Sequence, residues 1–98
     1  MRMKIKDTSE GKVVVIKIGK RFDISSHHLF SEACHLADDP TTTNIIVDFG
    51  KTKHLHDFGL ALLLMLYRHA ARLKDGISLI NCHPKIRGRL AYARLQLH

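Results

Sequence analysis

Two periodicities alternate along this chain, and few folds accommodate both. Short runs rich in β-branched residues stand at 12–18 (KVVVIKI), 44–49 (NIIVDF) and 77–82 (ISLINC). Between them lie longer segments whose apolar residues recur at helical spacing. The first kind reads as strands and the second as helices packed on them. Strands that alternate with helices build an α/β domain with a sheet that is at least partly parallel, because parallel neighbours need a long crossover.

The same reading places each element. Residues 3–6 alternate apolar and charged, as an edge strand does, and Glu10-Gly11 marks a turn. Residues 19–23 form a loop that leads into a helix capped by the hydroxyl of Ser25 or Ser26. Leu29, Ala33 and Leu36, with Phe30, Cys34 and Ala37 alongside, give that helix an apolar face until Asp38-Asp39-Pro40 ends it. Gly50 breaks the next strand, and residues 53–56 suit a short further one. Residues 58–74 form a helix that is apolar nearly all round until Arg68, which predicts a buried first half. Lys74 suits its C-terminal dipole, and Asp75-Gly76 supplies the stop. Pro84 fits the first turn of a last helix with an apolar face at Ile86, Leu90, Ala93 and Leu97, and with Lys85 and Arg89 on its remaining surface. The expected order is β-β-α-β-(β)-α-β-α, a mixed sheet of four to five strands with helices packed against it.

With 98 residues the chain predicts one domain, 1–98, large enough to hold a core without disulfides or metals. The longest stretch without polar side chains, 58–67, is half of what a membrane span needs. The N-terminus alternates with charges and lacks a secretory apolar core, so the expected location is cytoplasmic. Cys34 and Cys82 are too few and too far apart for a disulfide framework and read as reduced small hydrophobes. The net charge of +7 is unevenly placed: residues 1–21 carry +5, residues 22–66 carry −4 and residues 67–98 carry +6. A basic balance admits nucleic acid or acidic partners. The aromatic content is low, with four Phe, two Tyr and no Trp, which leaves little for base stacking.

No phosphate-binding glycine loop, nucleophile elbow or nucleophile–base pair occurs. Eight histidines invite a metal reading: His54 and His56 share a strand face, and His27 with Cys34 and His28 with His35 are spaced to share helix faces. Pairs do not close a tetrahedral site without tertiary help. The chain is therefore expected to be non-catalytic and to need no cofactor or metal.

Several phrases, in this order and spacing, resemble the STAS domain, the fold of the bacterial anti-sigma factor antagonists. They are Gly19-Lys20-Arg21-Phe22-Asp23 after the second strand, Ile45-Ile46-Val47-Asp48-Phe49 as central strand, and Leu55-His56-Asp57-Phe58-Gly59-Leu60 entering the second long helix. Ile80-Asn81-Cys82-His83-Pro84 follows at the last strand and helix start, and the match spans about residue 3 to the end. The resemblance implies a partner that is an anti-sigma factor or a related ATPase-fold serine kinase. It also implies a second helix opening D-[ST]-x-G-[LI], whose Ser or Thr is phosphorylated by that partner to break the complex. Here His56 stands at the family Asp and Asp57 at the phosphoacceptor, Phe58 fills the variable position, and Gly59-Leu60 match. The nearest hydroxyl, Thr52, lies outside the motif.

Asp57 has two readings. It is a built-in, partial phosphomimic, with one charge where phosphoserine brings about −1.5 to −2, or it is a plain N-cap. Phe58 is either a core anchor or an exposed aromatic at an interface. By the resemblance, Phe22, Asp23, Ser25, Ser26, His56, Asp57, Phe58 and Leu60 form the partner-binding surface. On their own chemistry Phe22 reads as a buried aromatic, Asp23 as a turn acid and Ser25 as a helix cap. Asp48 reads as a hydrogen-bond acceptor that orders a loop. The expected assembly is a monomer or weak dimer without membrane insertion. Residues 59–64 (GLALLL) also resemble STAS subunits of lipid-transport ABC complexes, and a small basic nucleic-acid binder is a third reading, which needs the basic termini to converge on one face.

Overall fold

The structure, a computed structural model, describes residues 1–92. Two seven-residue strands, β1 (Arg2–Thr8) and β2 (Gly11–Lys17), pair antiparallel through a tight turn. At that turn Gly11 has φ +138° and lies against the Thr41 carbonyl, so a side chain there has neither the conformation nor the room. The chain then forms β3 (Arg21–Phe22), a 3-10 turn over Ile24–Ser26, and helix α1 (His27–Ala37). Strand β4 (Thr42–Asp48) follows, then β5 (His54–Leu55), helix α2 (Asp57–Ala70), strand β6 (Ile77–Ile80) and helix α3 (Pro84–Tyr92). The main sheet has the order β1-β2-β4-β6, with β2, β4 and β6 parallel, and β3 pairs with β5 in a two-stranded parallel ribbon.

Strand side chains alternate between the two faces of the sheet. One face sends Val14 and Ile16, Ile45 and Val47, and Ile77 and Leu79 into the core. They meet Phe30, Ala33, Cys34 and Ala37 of α1, Leu62, Leu63 and Leu66 of α2, and Ile86 and Leu90 of α3. The other face sends out Val13 and Val15, Asn44 and Ile46, and Ser78 and Ile80, all half-exposed.

The element order is the one the periodicities predict, with four corrections. Strand β3 lies where a loop is expected: two residues carry no periodicity, and the pairing is supplied by β5, more than thirty positions away. A 3-10 turn precedes α1, and the hydroxyl of Ser26 makes no cap bond. Helix α2 ends at Ala70 rather than Lys74. Its continuation folds back instead: Leu73 N–H donates to Ala70 O, Gly76 N–H donates to Leu73 O, and Lys74 pairs with Glu10 at 3.7 Å. Finally, the first half of α2 is not buried all round. Leu62, Leu63 and Leu66 enter the core, while Phe58 and Leu64 stay exposed. Ala93 and Leu97 of the expected last apolar face lie outside the described residues. Among the described residues no helix is long and apolar enough to cross a membrane.

Candidate interaction site

The start of α2 is fixed by the small ribbon. Phe22 is fully buried, with its ring 5.0 Å from Phe30 and 5.9 Å from Phe49, centroid to centroid. This aromatic cluster anchors β3, and β3 positions β5 beside it. The Phe22 carbonyl accepts from His56 N–H at 3.0 Å. Gly59, in the first turn of α2, lies directly against that carbonyl, and a Cβ there would collide with it. His56 is the N-cap, in extended backbone at φ −87° and ψ 159°, and its side chain makes no cap bond. Its carbonyl accepts from Leu60 N–H at 3.0 Å.

Asp57 is thus the first helical residue and not the N-cap. The ribbon keeps the chain extended through His56, which shifts the helix start by one position. The Asp57 carboxylate is 95% exposed and pairs with Arg89 of α3, whose Nη2 donates to Oδ1 at 2.6 Å. Arg89 Nη1 donates to the Leu55 carbonyl at 2.8 Å. One guanidinium therefore joins α3 to both β5 and the first residue of α2. A cleft of about 330 Å³ lies there, lined among others by Lys53, His54, His56, Lys85 and Arg89. Phe58 projects outward, 61% exposed, so it is not a core anchor.

The neighbouring turn is ordered by Asp23. Its Oδ1 accepts from Ser25 N–H at 3.0 Å and from the Ser25 hydroxyl. Those two bonds hold the Asp23 carboxyl below its usual pKa. Asp23, not Ser25, is therefore the side chain that caps this segment. The turn packs against α2 and leaves Ile24 51% exposed. Of the eight expected surface residues, Ser25, His56, Asp57 and Phe58 are exposed, and Asp23 and Leu60 are half-buried. Phe22 and Ser26 are buried and present no side chain to a partner, because the aromatic cluster and the α1 start enclose them. Ile24 and Arg89 are the additions. Ile24 has a sequence signal, a lone large apolar residue in a polar turn. Arg89 has none, since it lies 32 positions from Asp57.

Four other readings of the sequence can be placed in the structure. Thr52 is fully buried, and its hydroxyl donates to the Gly19 carbonyl at 3.0 Å, so a kinase has no access to it in the folded state. Asp48 Oδ1 accepts from Gly50 N–H at 2.8 Å and Asn81 Nδ2 at 3.1 Å, the loop-ordering role its position predicts. Cys34 and Cys82 are both free, and burial raises both thiol pKa values. Among the described residues no group of three or more His, Cys, Asp or Glu is placed to hold a metal ion, and His27 is exposed while Cys34 is buried.

No family model matches the chain. The anti-sigma factor antagonist SpoIIAA in its unphosphorylated form matches the fold with a TM-score of 0.76 at 16% identity, covering 99% of this chain and 87% of that one. The Bacillus cell fate determinant SpoIIAA in its phosphorylated form gives 0.71 at 16% identity, over 99% and 91% of the two chains. An anti-sigma factor antagonist from Mycobacterium paratuberculosis gives 0.69 at 16% identity, over 99% and 84%. At that identity the likeness is one of fold. A STAS-domain containing protein of Pseudomonas aeruginosa is 32% identical over 89 residues, which cover 91% of this chain and 87% of that protein. With the fold of the anti-sigma factor antagonists and a relative this similar over nearly its whole length, the chain belongs to the STAS-domain family.

Proposed function

We propose that residues 1–98 act as one non-catalytic STAS interaction domain. It works in the cytoplasm as an anti-sigma factor antagonist, and its partner is an anti-sigma factor or a related ATPase-fold serine kinase. The observation that carries this reading is Phe58. A large aromatic held 61% exposed at a rigid helix start, with exposed Ile24 on the adjoining turn, suits an interface anchor. His56, Asp57, Ser25 and half-buried Asp23 and Leu60 surround it. Buried Phe22 and Ser26 act by holding the scaffold.

Position 57 is fixed rather than switched in this reading. Asp57 occupies the family's phosphoacceptor place, and the nearest hydroxyl, Thr52, is buried and hydrogen-bonded. The Arg89 pairing further supports a permanently occupied site: the charge that phosphorylation would add is already present in part and already met by a cation. The readings as a transporter STAS subunit or a nucleic-acid binder lack a comparable observation. Of the basic residues near the two ends, Arg2, Lys4 and Lys6 lie on β1 of the sheet, whereas Lys85 and Arg89 line the cleft beside α2.

The test is a pull-down from source-cell lysate with wild type, Phe58→Ala and Asp57→Ser, read by mass spectrometry. The expected result is an anti-sigma or kinase-like protein captured by wild type and reduced roughly tenfold or more by Phe58→Ala, as for a central anchor. Phosphate is expected only on the serine introduced at 57. Capture of a transporter ATPase, of nucleic acid alone, or of the same partner regardless of Phe58 overturns the reading.

A further inference from the structure

The face of the main sheet that points away from the helices carries a surface the reading above does not use. The registers fix its composition. Lys4 lies opposite Val15, Lys6 opposite Val13 and Arg2 opposite Lys17. Val13 lies beside Asn44 and Val15 beside Ile46, and Ser78 and Ile80 continue the rows on β6. The face thus has an apolar floor of Val13, Val15, Ile46 and Ile80, and a cationic flank of Arg2, Lys4, Lys6 and Lys17. The four floor residues are half-exposed, and they belong neither to the core cluster nor to the half-buried side chains packed against it. Three parallel strands normally have both faces covered. Here, among the described residues, helices cover one.

The dimensions and the charge together point to one occupant. The floor runs across β2, β4 and β6, two strand spacings or roughly 10 Å, which is the width of an α-helix. The floor occupies the rows from Asn44 to Asp48, roughly 13 Å, within the roughly 23 Å of the seven-residue β4, which is the length of about 15 helical residues. A helix laid along β4 has its flank over the four cations. The acid on this face, Asp48, is already bonded to Gly50 and Asn81. The Asn44 Oδ1 at the edge of the floor is buried and accepts no hydrogen bond. A second copy of the chain would bring four more cations to the same face, so like charge opposes self-docking.

We propose that this face is a second interaction surface, which takes an amphipathic helix of a partner protein with an acidic flank. It is separate from the α2 start, so one domain can hold two partners.

The test is an NMR titration of the full chain with a synthetic helical peptide of about 15 residues, with leucines at helical spacing and glutamates along one flank. Two control peptides have the leucine positions scrambled or the glutamates replaced by lysine. The expected result is saturable shifts at the Val13, Val15, Ile46 and Ile80 methyls. Affinity should fall with salt and fall roughly tenfold in Lys4→Glu/Lys6→Glu, in keeping with lost charge complementarity. Both substitutions are at exposed positions, and the free spectrum reports whether the fold is intact. Equal binding of the scrambled peptide reduces the effect to bulk charge and overturns the proposal. Shifts confined to Phe58 and its surroundings overturn it as well. So does binding of phosphatidylcholine vesicles containing about 30% phosphatidylserine without binding of the peptide, which assigns the face to a membrane surface. Floor methyls already shielded from a soluble paramagnetic probe in the free protein would mean that the chain itself or a second copy covers the face, and that too overturns it.

Discussion

Two helices of this domain begin side by side, each with an aspartate at its approach, and they use that acid in opposite ways. Before α1, Asp23 binds the backbone and hydroxyl of Ser25, two residues on. The bond is local and orders one turn. At α2, the carboxylate of Asp57, the first helical residue, pairs with Arg89, 32 positions away. An acid at a helix start is therefore not one device. The first stabilises the turn that carries it, and the second couples two elements whose relative position no local rule sets. The α1 approach is tied within its own turn yet shows Ile24, while the α2 start is tied to α3 and shows Phe58.

Substitutions can break this contrast or sharpen it. The largest effect is expected at Gly59, where a methyl group meets the Phe22 carbonyl. Gly59→Ala should cost about 1–3 kcal/mol by overpacking, read as a lower urea midpoint, and it should displace the α2 start while leaving the Asp23 turn intact. Asp23→Asn should cost less, and its cost should depend on pH. The folded-state pKa of Asp23 is depressed, so its charge contributes stability above the ordinary carboxylate value and loses it as pH falls through the folded value. The gap in Tm between wild type and Asp23→Asn should therefore be present at neutral pH and close in strong acid. A gap that is constant with pH would mean that the charge plays no part. For Asp57 and Arg89 a double-mutant cycle should give a coupling of about 0.2–1 kcal/mol, as for other exposed pairs, and it should shrink with salt. Arg89→Ala should cost more than Asp57→Asn, because it also removes the bond to Leu55. The smallest effect on stability belongs to Phe58→Ala, within about 0.5 kcal/mol. A larger loss in thermal melts would make Phe58 part of the packing rather than an anchor for a partner.

The fold was largely legible in the sequence because its signals are local. The β-branched runs, the apolar helix spacing, the proline after Asp39 and the glycine after Asp75 each act within one turn or one strand. Strand β3 escaped because its partner, β5, is distant and neither has a period to read. The end of α2 escaped because Leu73 is apolar at a helical spacing yet enters the core from a turn. The site was half legible. A linear motif located Asp57 and Phe58. The pairing with Arg89, the burial of Thr52 and the exposure of Phe58 depend on how α3 and the small ribbon pack, which spacing does not encode. The cap expected from Ser25 or Ser26 is made by Asp23, and composition alone does not rank such neighbouring acceptor oxygens.

Among the described residues, strands β1 and β6 are the borders of the sheet, and each has a row of main-chain groups with no neighbouring strand in it. Such borders invite edge-to-edge ladder growth between molecules. β6 limits this by being only four residues long. β1 has seven residues, and Arg2, Lys4 and Lys6 space like charges along it. Two such borders repel before their backbones can pair. Neutralising the row, by substitution or by a bound polyanion, weakens that barrier, so the cations that flank the outer face also guard β1 against edge-to-edge association.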